Sequence, residues 1–232
     1  MTALAVTWQI LVAVALTPVL VGVMRQVRAR LEGRVGAGIG QPWRDVRKLL
    51  AKEPLAAEGA GPLMSAVPVI LVISSLVSVA LVPLLGIATL AWVPDDLFVV
   101  VSVLLVGTVA LALLGLESGT AFGGMGSSRH MMIAALVEPT VLVAVYALSV
   151  PVGTTAVSSI LQARMSDPTT VISPVSLLAL VALSIVVLAE TGRLPVDNPA
   201  THLELTMIHE AMILESSGRD LGWLELGSWL RL

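Results

Sequence analysis

Between residues 190 and 218 the chain reads ETGRLPVDNPATHLELTMIHEAMILESSG. Two histidines, His202 and His209, and five acids, Glu190, Asp197, Glu204, Glu210 and Glu215, stand just beyond an apolar run at residues 171–189. Ionisable groups beside a lipid-compatible segment suit three kinds of chemistry: proton exchange, metal binding, or a polar contact with another protein. Metal binding fits poorly. His209-Glu210 opens like a zinc-protease helix, but the second histidine of that motif would fall on Ile213. Two histidines seven residues apart make a weak metal site, so neither a metal centre nor a catalytic residue is expected. A helical wheel puts Leu203, Met207 and Leu214 on one sector and Leu205, Ile208 and Met212 on another. Glu204 and Glu215 lie between them, with His202 and His209 on a further sector. With no single apolar face, this segment fits a crowded junction between proteins better than a solvated tail.

The elements that position these groups follow from composition. The 232 residues are 56% hydrophobic and 12% charged, with mean hydropathy +0.96, and carry no cysteine. Soluble domains carry about twice that charge. Five long apolar runs, about 3–24, 64–92, 97–116, 130–152 and 171–190, are each able to cross a ~30 Å hydrocarbon core as a helix. The expected fold is therefore all-α and integral to the membrane. It forms one membrane domain over residues 1–232, with about five transmembrane helices and cytoplasmic amphipathic loop helices. Absence of cysteine excludes thiol catalysis, disulfides and cysteine-ligated clusters in this chain. Arg25, Arg28 and Arg30 follow the first apolar run rather than precede it, which reads as a retained anchor and not a cleaved signal.

Positive charge orients the spans. The 25–63 connection holds eight of the thirteen Lys and Arg residues, and the 191–232 tail holds Arg193, Arg219 and Arg231. The positive-inside rule makes both regions cytoplasmic, with the N-terminus outside and the C-terminus cytoplasmic. Within the first connection, GQPWRDVRKLLAKEP predicts a short basic amphipathic helix bounded by Pro42 and Pro54, with Val46, Leu49 and Leu50 on one face. It serves either as an interfacial anchor or as a docking element. GRVGAGIGQP reads as a flexible turn, and FGGMGSSRH as a turn ending at Ser127 or Ser128 as N-cap of the fourth span.

Orientation then places Glu117, Glu138 and Glu190 in the cytoplasmic half. Glu117 and Glu190 also read as plain helix ends at headgroup level. Glu138 does not: it lies nine residues past Arg129, roughly 13 Å deep. Pro139 beside it has no amide hydrogen to give the Ala135 carbonyl. A carboxyl next to a broken backbone bond in lipid is a natural station for a proton.

The wording AETGRLPVDNPATHLELTMIHEAMILESSGRDL resembles a loop of the complex I subunit 1 family, and more narrowly the membrane subunit of energy-converting nickel–iron hydrogenases of the formate hydrogenlyase and hydrogenase 4 type. GQPWRDVRKLLAKE and GMGSSRHMMIAALVEP match two further stretches of that family. The resemblance implies a subunit without a redox centre of its own. Its partners would be the hydrogenase large and small subunits, an Fe–S subunit and antiporter-like membrane subunits, in membrane lipid and without nucleic acid. The nickel–iron centre and Fe–S clusters would sit in those partners. It implies a proton path through Glu117, Glu138, Glu190, Glu204, Glu210 and Glu215. It also implies docking loops bearing Arg34, Gln41, Asp45, Lys48, Lys52, Glu53, Arg193, Asp197, His202, Leu203, Met207 and His209. Family members carry about eight spans, so the five here read as a fragment, a truncated product or a short form. Two alternatives stay open: a quinone-site subunit of an NADH-quinone oxidoreductase, and a stand-alone ion transporter. The 3% aromatic content weighs against a quinone site, and the lack of an internal repeat weighs against a transporter.

Overall fold

The protein is described by a computed structural model covering residues 2–55, 61–82, 95–166, 173–190, 196–197 and 207–231. Nine helices follow one another among these residues: α1 (Thr2–Leu31), α2 (Gln41–Leu50), α3 (Leu63–Leu81), α4 (Leu97–Glu117), α5 (Ala121–Ser149), α6 (Val157–Ser166), α7 (Pro174–Glu190), α8 (Ile208–Ile213) and α9 (Gly218–Leu230). Four of them, α1, α3, α4 and α5, are long and apolar enough to cross a membrane, and α7 is a shorter apolar helix of 17 residues. The protein is a multi-pass, all-α membrane protein. Long apolar runs leave the backbone no alternative in hydrocarbon, where every amide must be satisfied within its own segment.

Several helix ends differ from the sequence expectation. α1 runs past its arginines to Leu31. α3 stops at Leu81, where Val82 turns extended, and the rest of the expected 64–92 span lies outside the described residues. α5 begins at Ala121, not near 130. Thr120 is its N-cap, with the side chain accepting from the Gly123 amide at 3.1 Å. Ser127, expected as a cap, is instead buried one and a half turns inside, donating to the Ala112 carbonyl at 2.8 Å. The cap moved because the α4–α5 turn is short, and its hydroxyl residues Ser118 and Thr120 bond each other at 3.0 Å.

The core lies where α3, α4, α5, α8 and α9 meet, around Leu71, Leu114 and Leu224, all fully buried, with Ile208, Met212 and Ile213. Small residues let these helices approach closely, as in other membrane bundles. At Gly115 an added Cβ would meet the Gly123 carbonyl and Met212 Cγ, each at 3.0 Å. Two hydrogen-bonded belts mark the ends of the bundle. At one end Leu55 and Ser217 exchange bonds of 2.8 and 2.9 Å. At the other, Asp96 caps α4 at the Phe98 amide (2.8 Å) and accepts from Thr155 (2.7 Å). Asp95 there accepts from the Ser158 amide at 3.0 Å. Burial acts to raise its pKa, but the Ser158 hydrogen bonds outweigh it and hold the carboxyl below its ordinary range.

Candidate functional site

The groups that the sequence singles out converge only in part. The centre of the arrangement is Arg231, at the C-cap of α9. Its Nη2 donates to Glu190 Oε1 at 2.9 Å, to Thr108 Oγ1 at 2.6 Å and to the Leu104 carbonyl at 3.0 Å. The Arg231 side chain is 9% exposed and that of Glu190 25%. Thr108 is fully buried. Three elements build this point: α4 presents Thr108 and Leu104 one turn apart, α7 ends on Glu190, and α9 runs back into the bundle to deliver Arg231. Thr108 is nine residues short of Glu117, so the ion pair sits about 13 Å inside the end of α4. Glu190 is therefore a helix end, but one at mid-depth of the bundle. Arg231 is likewise inside, whereas the sequence alone groups it with the charges of the tail.

Glu138 lies further along α5, about 25 Å from its first residue and about 16 Å from its last. The expected depth of ~13 Å was measured from Arg129; with α5 starting at Ala121 the carboxyl is near the middle of the helix. It is half-buried and close enough to Glu190 and Arg231 to feel both charges. Pro139 does sit inside the helix, and the Thr140 hydroxyl bonds the neighbouring Leu136 carbonyl at 2.8 Å. Beside Glu138 an apolar crevice of about 480 Å³ opens between α5 and α7, lined by Pro139, Thr140, Ala144 and Ala179 among others. Glu117 stands apart. Its carboxylate lies against Gly61, in the space a Cβ there would occupy.

Two groups not singled out from sequence extend the arrangement. His130 feels the charges of Glu190, Arg231 and His209, and bonds the Thr108 backbone. Its Nε2 and Arg231 Nε are buried with no hydrogen-bond partner among the described residues. Glu225, half-buried on α9, feels His209, Glu210 and Arg25, and bonds Trp229. Glu138, Glu190, Arg231, His130 and His209 thus lie within electrostatic reach of one another on one side, and His209, Glu225, Glu210 and Arg25 on the other, with Arg231–Glu190 in direct contact. The sequence signal was available for His130, a histidine inside an apolar helix. Arg231 had none, because its partner is 41 residues away.

The remaining candidates sort by exposure. Lys48, Lys52, Glu53, Arg34 and Glu210 are exposed, and Met207, His209 and Glu215 half-buried. Gln41 donates to Asp45 at 2.8 Å within α2. Asp197 is 3% exposed and accepts from the Ile208 amide at 2.9 Å, at the start of α8. Ile208 and Met212, one apolar sector of the expected junction, pack into this chain's own core. The apolar face of α2 also turns inward: Val46 and Leu50 pack on Val21 of α1 and Trp229 of α9. Arg193, His202, Leu203 and Glu204 lie outside the described residues. No cluster of metal-ligating side chains occurs among the described residues.

The described residues form a helical membrane bundle in which a buried ion pair joins α7 to α9. The profile of the NADH dehydrogenase family, that of complex I subunit 1, matches residues 3–232, and the chain belongs to this family. It is 30% identical over 226 residues to hydrogenase-4 component C of Escherichia coli (strain K12), covering 96% of this chain and 69% of that one. It is also 30% identical over 223 residues to formate hydrogenlyase subunit 4 of the same organism, covering 96% and 71%. Its fold is similar to a chain of the membrane-bound sulfane sulfur reductase, an archaeal respiratory membrane complex, with TM-score 0.85 at 22% identity, over 99% of this chain and 74% of that one.

Proposed function

We propose that the chain is the membrane anchor and ion-coupling subunit of a multi-subunit nickel–iron hydrogenase of the formate hydrogenlyase type. Two relatives with hydrogenase names at 30% identity support that branch. The observation that carries the coupling role is the Arg231–Glu190–Thr108 knot at mid-depth, with the Glu138 carboxyl beside it. A buried ion pair is costly to keep in a membrane bundle. It is tolerated where the charges do work on a neighbour. Arg231 supplies the countercharge for Glu190, and Glu138 takes up and releases the proton. His130, with a free Nε2, and His209 relay it toward Glu225 and Glu210. The excess of Lys and Arg at the α2 end supports a cytoplasmic position for it. There the exposed Glu210, Leu214 and Arg219 face the redox module, whose partner subunits hold the nickel–iron and Fe–S centres. The test is ion uptake by vesicles containing the assembled complex, normalised to hydrogen turnover. Glu138→Gln keeps the shape of the side chain but cannot exchange a proton; turnover should persist while uptake per turnover falls about a hundredfold, the low end of what a positioned proton-transfer group contributes. Full coupling in that variant would leave Glu138 a structural polar group.

A further inference from the structure

Three oxygens of different kinds surround one nitrogen inside the bundle. A carboxylate oxygen of Glu190, the Thr108 hydroxyl and the Leu104 carbonyl stand 2.9, 2.6 and 3.0 Å from Arg231 Nη2. They also stand close to one another: Thr108 Oγ1 is 3.2 Å from the Leu104 oxygen and 3.5 Å from Glu190 Oε1. Thr108 is fully buried, and the Arg231 side chain is 9% exposed. A guanidinium recruited to hold a carboxylate commonly presents a fork of two nitrogens side by side. Arg231 does otherwise. All three of these bonds come from Nη2, and Nε has no hydrogen-bond partner among the described residues. One nitrogen is aimed at three oxygens, as an ammonium or a metal ion would be.

Carboxylate, hydroxyl and carbonyl oxygens are the ligands that hard cations take. The cage contains one carboxylate, so its single negative charge matches a monovalent ion. A divalent ion would leave positive charge uncompensated inside the bundle. We propose that Glu190, Thr108 and Leu104 form a site for a monovalent metal cation, sodium or potassium, whose occupant is built into the chain: Arg231 Nη2 stands where the ion would bind. A tethered cation cannot leave down a gradient. Alkali ions are therefore kept out at the level where Glu138 works, and the proton is the species exchanged there. That consequence rests on the ion-coupling role proposed for this subunit; the site itself does not.

The test is thermal unfolding of the full chain, purified in detergent, in sodium, potassium and choline chloride at equal ionic strength. The parent protein should melt at the same temperature in all three, because its site is filled. Arg231→Gln removes the charge and keeps much of the side chain. Its melting temperature should rise in sodium or potassium relative to choline, by about 3–6 °C when the ion stands at about ten times its dissociation constant. Adding Thr108→Val to Arg231→Gln takes away one ligand and should abolish most of that rise. Arg231→Lys keeps a cation and should be as indifferent to the salt as the parent. A sodium- or potassium-specific shift in the parent, no shift in Arg231→Gln, or a shift that survives Thr108→Val would overturn the site. No shift in Arg231→Gln would mean that Glu190 takes up a proton instead. Failure of Arg231→Gln or Arg231→Lys to accumulate in potassium-rich cells would overturn it too, because the position would then accept only a guanidinium. Full coupling in Glu138→Gln would end the coupling role and leave these melting temperatures as they are, so the two failures are separable.

Discussion

At the scale of single residues, the bundle rests its polar interior on one cation. Arg231 satisfies Glu190, Thr108 and a backbone carbonyl with the same Nη2 group, while its Nε has no hydrogen-bond partner among the described residues. Removing the guanidinium strands Glu190 in a half-buried setting. Arg231→Met should therefore destabilise the protein by about 3 kcal/mol, since breaking a buried pair leaves an uncompensated charge. Arg231→Met with Glu190→Met should recover most of that loss, because two apolar side chains need no partner. Thermal unfolding of the purified variants in one detergent checks both. A double variant no more stable than the single one would mean that Arg231 acts through Thr108 and Leu104 instead.

At the scale of elements, α9 organises its neighbours. It packs on α3 through Gly227, whose added Cβ would sit 3.0 Å from Leu71 Cγ, and Ser75 donates to the Gly227 carbonyl at 3.0 Å. Its first residue, Gly218, has φ +53, and a Cβ there would strike the Glu53 carbonyl. Gly218→Ala should cost about 1–2 kcal/mol for the left-handed backbone alone, and more for displacing the 53–55 strap. Gly153→Ala, at φ +71 with open space around it, should show the backbone cost without the strap. The difference in melting temperature between the two variants measures the strap. The same region bears on docking. With Ile208 and Met212 turned into the core, an exposed apolar side chain left next to α8 among the described residues is Leu214, 43% exposed. Leu214→Glu should lower co-purification of the proposed redox module without lowering the membrane level of this subunit. Unchanged co-purification would remove this face from the docking surface.

At the scale of the whole molecule, the two hydrogen-bonded belts divide the loops between opposite ends. Leu55 and Ser217 share one end, Asp96 and Thr155 the other. The chain has no cysteine, so single cysteines report sidedness without background. Lys52→Cys and Arg219→Cys, both exposed, should label from the same side of sealed vesicles, and Gln162→Cys on α6 from the opposite side. If the charge rule holds, the first two face the cytoplasm. Labelling of Lys52→Cys and Arg219→Cys from different sides would break the link that the Leu55–Ser217 bonds make.

The amino-acid sequence alone determined the all-α membrane class, the position of the long apolar helices and the short helix bounded by Pro42 and Pro54. Those are local properties: hydropathy accumulates along contiguous residues, and a lipid-exposed backbone has to bond within its own segment. It also marked Glu138 and Pro139 as neighbours in a helix interior. Tertiary structure decided the rest. Whether Thr120 or Ser127 caps α5 depends on the α4 carbonyl that Ser127 meets. Whether the apolar sectors at Ile208 and Met212 face a partner or this chain's own core depends on α4 and α5 lying beneath α8. Glu190 is a helix end in sequence and a mid-depth carboxylate in the fold because α9 carries Arg231 back to the level of Thr108. Partners 41 and 123 residues apart leave no pattern in a local window; they meet only when helices pack.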